Sequence, residues 1–106
     1  MAAFKNAVAA AVGVSDTNIL TAAAAVATTL IGMTVANVTA NQIKASVKVT
    51  SGATTVFLIK DAPIPVGGAL VPLGGDQKVV LETGDIIKVV TDTAASADVL
   101  LSYLES

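Results

Sequence analysis

The amino-acid sequence predicts an all-β protein, a single antiparallel β-sandwich of about eight short strands, jelly-roll-like or immunoglobulin-like. Apolar and polar residues alternate with a period of two along most of the chain. Turn-forming Gly, Pro, Asn and Asp residues interrupt this alternation about every 8–12 residues, as in sandwiches and barrels. The 106 residues are the length of one domain.

The first residues differ from the rest of the chain. Residues 1–11 hold Phe4 and Lys5 among small side chains, and we expect a short N-terminal arm ahead of a sandwich of residues 12–106. The arm is either a mobile tail or a segment that packs on a neighbouring subunit through Phe4. Residues 7–12 are rich enough in Ala for a short helix.

Two strands are predicted before the middle of the chain. Residues 17–21 follow a turn at Ser15-Asp16. Residues 22–27 are a second Ala-rich stretch that could form a short helix. In residues 28–37 the alternation predicts a strand with Thr29, Ile31, Met33 and Val35 on one face.

The clearest strand signal covers residues 43–50, reached through a turn at residues 37–42. Lysine, serine and threonine occupy its wet face, and its buried face should hold Ile43, Ala45, Val47 and Val49. Residues 51–53 predict a tight hairpin into a strand at residues 54–60. That strand carries apolar residues on both faces, which predicts cover on both sides.

A proline-containing loop is expected at residues 61–68. Pro63 and Pro65 cannot donate to a strand ladder, and Gly67-Gly68 allows a sharp turn. Together with Phe4, the candidate protein-contact residues are Pro63, Ile64, Pro65 and Val66. Further strands are predicted at residues 69–73 (an edge strand, because of Pro72), 78–81, 86–91 and 97–104, separated by turns at 74–76, 83–85 and 92–96.

The composition favours contact with other proteins. Hydrophobic residues make up 54% of the chain and charged residues only 13%, about half the usual charged fraction. We therefore expect part of the surface to be buried in a homo-oligomer or against a partner. The net charge of −2 does not favour nucleic acid. Residues 17–43 carry no charge but are rich in Thr and Asn, so we expect no membrane span there. Residues 1–14 lack the Leu-rich segment of a signal peptide, so we expect no signal peptide either.

Catalytic and cofactor chemistry is not expected. The chain has no His, Cys or Trp, and all six of its basic residues are Lys. A Ser nucleophile would lack its usual base, and a metal could only be a hard cation held by oxygens, as at Gly74-Gly75-Asp76. Most acidic residues lie at predicted turns, where they cap backbone N–H groups. We predict no catalytic, cofactor or metal residues.

Several segments of the chain resemble a family of small virion structural proteins of tailed bacteriophages, many of them from aquatic hosts including cyanobacteria. The most specific is Gly-Gly-Asp-Gln-Lys-Val-Val-Leu-Glu at residues 74–82. The resemblance spans roughly residues 12–105 and is carried by residues 12–22, 31–37, 57–70, 73–89 and 96–105. One departure is residues 22–25, where the family pattern leads us to expect a turn containing Pro.

This resemblance implies a β-sandwich subunit present in many copies on a phage particle. The implied function is a capsid decoration or cement protein that bridges subunits of the major capsid protein, without enzymatic activity. A neck, tail or fibre component in contact with other virion proteins is the alternative. A glycan-binding module is a third possibility that the 3% aromatic content disfavours.

Overall fold

The computed structural model describes residues 3–24, 27–73 and 78–105. Within them the chain forms nine strands and no helix. The strands are β1 (Ala3–Val12), β2 (Thr17–Thr21), β3 (Thr28–Asn37), β4 (Ile43–Ser51), β5 (Thr54–Ile64), β6 (Ala69–Leu73), β7 (Val79–Leu81), β8 (Ile86–Thr91) and β9 (Ala97–Glu105).

The strands form two antiparallel sheets whose pairing is nested. Sheet A has the order β1-β9-β3-β6, with β7 also paired to β3, and sheet B has the order β2-β8-β4-β5. The β4–β5 hairpin is innermost, and the pairs β3–β6, β2–β8 and β1–β9 enclose it in turn. A long hairpin folded over on itself gives this arrangement, and the strand order is that of a jelly roll. The predicted β-sandwich is confirmed.

The core lies between the sheets and follows the period-two pattern. In β4, Ile43, Ala45, Val47 and Val49 are all buried, as predicted. In β9 the alternate residues Ala97, Val99, Leu101 and Tyr103 are buried as well. Strands β3, β8 and the short β6 and β7 supply the other large side chains of the core, among them Leu30, Met33, Val35, Leu73, Leu81, Ile87 and Val89.

Strand β3 has the predicted bounds, but only Met33 and Val35 of the four residues predicted to share a face lie together in the core. Its ladder with β9 pairs Leu30 with Tyr103 and then Gly32 with Ser102, so that Ile31 has no direct partner. This bulge shifts the alternation by one residue. As a result Leu30 is buried with Met33, while Ile31 is only half-buried.

The predicted loop at residues 61–68 is wrong in its first half, because β5 continues through Ile64. Pro63 is tolerated because β5 is an edge strand of sheet B. Two register shifts against β4 bend the strand. At one of them Asp61 has a φ of 52°, and its N–H donates to Ser46 Oγ at 2.9 Å.

The expectation of cover on both sides of β5 is also wrong within one chain. Val56 and Phe57 are both about half exposed. An edge position leaves these side chains without a neighbouring strand on one side. Apolar side chains on both faces of β5 therefore belong to an exposed edge strand, and not to a strand that is covered on both faces.

The expected N-terminal arm is instead an edge strand of sheet A. Residues 3–9 of β1 pair continuously with β9, which adds a ninth strand to the eight predicted. The Ala-rich residues 7–12 extend because β9 offers a ladder, and the helix considered there is absent. Residues 22–24 are not helical either, and residues 25 and 26 lie outside the described part.

The predicted turns that lie within the described residues are confirmed. Gly52-Ala53 joins β4 to β5 with Ser51 paired to Thr54. Gly68 N–H donates to the Pro65 carbonyl at 2.9 Å across the positive-φ Gly67, as in a type II turn. The turn predicted at residues 74–76 lies outside the described residues.

Buried Asn37 connects the turn after β3 to the end of β5. Its Nδ2 donates to the carbonyl oxygens of Asn41 and Ile64 at 2.8 and 2.9 Å. Its Oδ1 accepts from the Thr39 N–H at 2.9 Å. One amide side chain thus ties together backbone groups of two segments, the turn after β3 and the end of β5.

Candidate functional site

The outer face of sheet A, the side turned away from the core, exposes large apolar side chains. One row of directly paired residues crosses four strands, from Phe4 through Leu104 and Thr29 to Val80. Phe4 is 77% exposed and Val80 is 67% exposed. Side chains opposite each other on one face lie about 5 Å apart, so this row forms one continuous strip.

A second row lies closer to the other end of the sheet. Val8 pairs with Leu100, and Leu100 pairs with Thr34. Val8 is 70% exposed and Leu100 is 47% exposed. Between the two rows the paired residues are small, namely Asn6, Ser102 and Gly32. The surface is therefore a shallow trough with apolar sides, and we call it the sheet A face.

An open groove of about 410 Å³ lies at the second row. It is lined by Val8, Ala9, Ala10, Thr34, Ala36, Asp98, Val99 and Leu100. The only titratable group among them is Asp98, whose Oδ1 accepts a hydrogen bond from the Ala11 N–H at 3.0 Å. The lining holds no His, Lys or Cys, and its one carboxylate is bound by the β1 backbone, so the groove offers mainly shape and apolar surface.

The outer face of sheet B has a different chemistry. Lys48 pairs with Lys88 on one side and with Phe57 on the other. The ammonium groups of Lys48 and Lys60 lie 5.6 and 5.3 Å from the centre of the Phe57 ring, within the range of cation–π contacts. Lys48 also forms an ion pair with Asp16 at 2.7 Å. The outer face of sheet A is therefore apolar, and the outer face of sheet B carries lysines.

The predicted contact residues do not come together. Phe4 lies on the sheet A face, on β1. Pro63 and Ile64 end β5 in sheet B, and Pro65 and Val66 follow in the turn. Strands β1 and β5 are terminal strands of different sheets, and they pack against different neighbours of the opposite sheet, β2 and β6. The two predicted contacts are consequently at opposite sides of the sandwich.

The prediction of Ile64 as a surface contact is corrected by its burial. Its side chain is 1% exposed and packs in the core opposite Ile43. The bulged end of β5 turns it inward, although the prolines on each side are exposed. Val66, at the tip of the turn, is 58% exposed and stays available for contact.

Sequence reasoning missed Val8, Val80 and Leu100 as surface residues. Val8 lies in the segment predicted as an arm, for which no strand face was assigned, and Val80 and Leu100 lie on strands with apolar residues of both parities. Leu100 and Leu104 alternate with the buried Leu101 and Tyr103. The signal was present in β9, but alternation alone does not show whether a second apolar face is covered.

Acidic residues accept backbone hydrogen bonds at two turns, through Asp85 and Asp92, and at the start of β9, through Asp98. Asp85 accepts a hydrogen bond from the Glu82 N–H at 3.0 Å, and Asp98 accepts one from Ala11. Asp92 accepts one from the Lys44 N–H at 3.0 Å, which is the main cause that lowers the pKa of the Asp92 carboxyl below its ordinary value. The capping role predicted for turn acids is confirmed at these positions.

Metal-ligand clusters and membrane-spanning helices are not found in residues 3–24, 27–73 and 78–105. No three His, Cys, Asp or Glu side chains gather there in a metal-binding arrangement. No helix of sufficient length and hydrophobicity to cross a bilayer occurs in the same ranges. The calcium loop considered at Gly74-Gly75-Asp76 lies outside them.

Comparison with known proteins adds no relative to this description. No protein-family model, no curated protein and no solved structure matches the chain.

Proposed function

We propose that this chain is a non-catalytic structural subunit of a tailed-phage particle, in the role of a capsid decoration or cement protein. The observation that carries the proposal is the sheet A face, where the exposed side chains of Phe4, Val8, Val80 and Leu100 gather on one side of the sandwich. The resemblance of residues 12–105 to phage virion proteins supports the choice of particle. The major capsid protein is the proposed partner.

The size of the sheet A face suits a docking surface. Four neighbouring strands about 4.8 Å apart, followed over about six residues, span roughly 400 Å². The largest apolar patch on a typical soluble chain has about this size and is often an interaction site. Each 100 Å² of apolar surface that its two apolar rows bury contributes about 2–3 kcal/mol before the entropic costs of association. Repetition over a capsid lattice multiplies this contribution.

The proposed mechanism is mechanical. A decoration subunit that binds across the boundary between two capsid proteins loses part of its apolar contact with them when the two capsid proteins move apart. Expansion of the shell under the pressure of packaged DNA then costs the free energy of every such contact. We expect particles that lack this chain to release DNA at a lower temperature and after a weaker osmotic shock than complete particles. Equal stability of the two kinds of particle would contradict the cement role.

Two matched variants test the docking surface itself. Leu100→Glu places a charge in the sheet A face, while Val56→Glu places one at a similarly exposed position on sheet B (47% and 53% exposed). We expect Leu100→Glu to abolish binding to stripped particles and Val56→Glu to retain it. If both variants bind equally well, the sheet A face is not the docking surface.

The copy number per particle separates the decoration role from its alternative. A copy number on the order of hundreds is expected for a subunit repeated over the head lattice. A single ring of copies, with antibody label confined to the neck or tail in electron micrographs, would instead support a neck, tail or fibre component.

A further inference from the structure

The edges of the two sheets differ in how they are protected against pairing with further strands. Natural edge strands are usually short, bulged, charged or interrupted by Pro. Strands β2 and β7 have five and three residues. Strand β6 has five residues and contains Pro72. Strand β5 is long but carries Pro63, Lys60, a positive-φ Asp61 and two register shifts.

Strand β1 has none of these protections over residues 3–9. This run pairs with β9 without a register shift and contains no Pro. Its only charged residue, Lys5, is directed to β9, where its Nζ lies 2.6 Å from Glu105 Oε1. Among the described strands, β1 is the long edge that is open to β-augmentation.

We propose that β1 pairs in antiparallel orientation with β1 of a second copy of this chain, about a twofold axis at Asn6. Residues 3–9 are centred on Asn6, so this register uses the whole regular run. It places Ala3 opposite Ala9, Phe4 opposite Val8, and Lys5 opposite Ala7. The two A sheets then form one continuous sheet across the axis.

A second copy suits this edge better than a strand of another protein. In a twofold interface the same surface must be complementary to itself. In this register each residue of β1 is opposite a residue that lies on the same face of the sheet. The exposed Phe4 side chain of each copy therefore meets the exposed Val8 side chain of the other. Like charges directly opposite would destabilise the pair, and the Asn6-centred register places no Lys opposite Lys.

The paired runs are short, so the dimer should be reversible. Seven residues span about 23 Å of strand, which places the interface at the low end of specific protein contacts. We therefore expect a dimer whose fraction rises with protein concentration.

The absence of native Cys from the chain allows a clean cross-linking test. Directly opposed residues have Cα atoms about 4.5–5.5 Å apart, which suits a disulfide. Asn6→Cys should form a disulfide-linked dimer on the order of a hundredfold faster than Val71→Cys, because pairing raises the effective thiol concentration from about 10 μM to about 1 mM. Val71 is a matched control, since it is exposed on β6, at the opposite edge of sheet A.

Single-Cys variants at Ala7 and Val8 report the register. One sharp maximum of cross-linking among positions 6–8 supports antiparallel β1–β1 pairing and locates its axis. Cross-linking at all three positions no faster than at Val71 overturns the proposal, and a strand of a different protein then becomes the candidate occupant.

A charge at the axis gives a second test. Asn6→Lys places two ammonium groups opposite each other, whereas Asn6→Gln keeps a neutral amide. Sedimentation velocity should show a strongly reduced dimer fraction for Asn6→Lys and an unchanged one for Asn6→Gln. A dimer that survives Asn6→Lys but is lost in Leu100→Glu would place the contact on the sheet A face and overturn edge pairing.

The inference does not depend on the proposed function. Edge pairing can be measured on the isolated protein, and docking is measured on phage particles. Because Asn6 also lies on the floor of the sheet A face, docking is judged from Leu100→Glu and not from Asn6→Lys. A Leu100→Glu protein that still dimerises but no longer binds particles would show that the edge and the face act separately.

Discussion

The hydroxyl of Thr28 is buried without a hydrogen-bond partner among the described residues. The residue is 1% exposed at the start of β3, between Leu81 and Glu105 of the neighbouring strands. An unsatisfied buried hydroxyl costs about 1–3 kcal/mol relative to one that is hydrogen-bonded.

Thr28→Val is therefore expected to raise the free energy of unfolding by about 1 kcal/mol, because it replaces the hydroxyl with a methyl group of similar size. Thr29→Val, half-buried on the outer face, is the control and should change stability little. Urea unfolding measures both. A destabilised Thr28→Val protein would mean that the hydroxyl has a partner, such as a buried water.

The Asp92 carboxyl gives the stability a pH dependence of known sign. Hydrogen bonds from the Lys44 N–H and, at 3.1 Å, from Thr93 Oγ1 favour its ionised form. A carboxyl whose pKa is lower in the folded state stabilises the fold above its unfolded pKa of about 4. That contribution is lost as the pH falls through the folded pKa.

Asp92→Asn should remove this component, since the amide oxygen can still accept hydrogen bonds but does not titrate. The difference in unfolding free energy between the native protein and the variant should be constant from pH 7 to about pH 5 and should shrink below about pH 4. Chemical denaturation at a series of pH values measures it. A difference that does not change with pH would show that Asp92 is equally acidic in both states.

At the scale of elements, the β4–β5 hairpin depends on a residue without a side chain. Gly52 has a φ of 61° at the first of the two loop positions, where the type II′ turn requires Gly. A Cβ at this position would meet nothing within 4 Å. The cost of adding one is therefore conformational and not steric.

Gly52→Ala is expected to lower the free energy of unfolding by about 1–2 kcal/mol. Gly32→Ala is the matched control, because its Cβ would also meet nothing within 4 Å but its φ is not positive. That substitution should be neutral or slightly stabilising. Equal thermal shifts for the two variants would contradict the turn assignment.

Strand positions were predictable because they depend on local pattern, and strand faces were less so because they depend on pairing. Alternation and turn residues located β2, β3, β6 and β8 within the chain. The bulge at Ile31 was not predictable, since Thr29, Ile31, Met33 and Val35 continue an unbroken apolar-facing pattern. The shift exists only because β9 pairs with β3 in that register.

The same limit applied to the candidate site. Phe4 was predicted as a contact residue, and its side chain is exposed in the single chain; the contact itself stays a prediction. Its neighbours Leu104, Thr29 and Val80 come from three other strands, so their assembly into one row depends on the jelly-roll order. Apolar residues of both parities in β9 are compatible with either a covered or an open second face, and only the order of the sheets distinguishes these cases.

At the scale of the whole molecule, the nested topology pairs residues far apart in sequence. The outermost pair joins Lys5 to Glu105, which are 100 positions apart. The chain loses the entropy of closing long loops before such contacts form and stabilise it, so all-β domains fold slowly.

We expect refolding in milliseconds to seconds, as for other β-sandwiches of this size. Stopped-flow fluorescence of Tyr103, the only Tyr in a chain without Trp, is a suitable probe because the residue is buried between the sheets. Refolding within microseconds would contradict a transition state that depends on long-range pairing.

The two unlike faces of the sandwich also have a consequence for the surface chemistry of an assembled particle. If the apolar face of sheet A is turned inward, Lys44, Lys48 and Lys88 on the opposite sheet face the medium. Each added subunit would then coat the particle with primary amines. Amine-reactive dyes should label decorated particles densely on this chain.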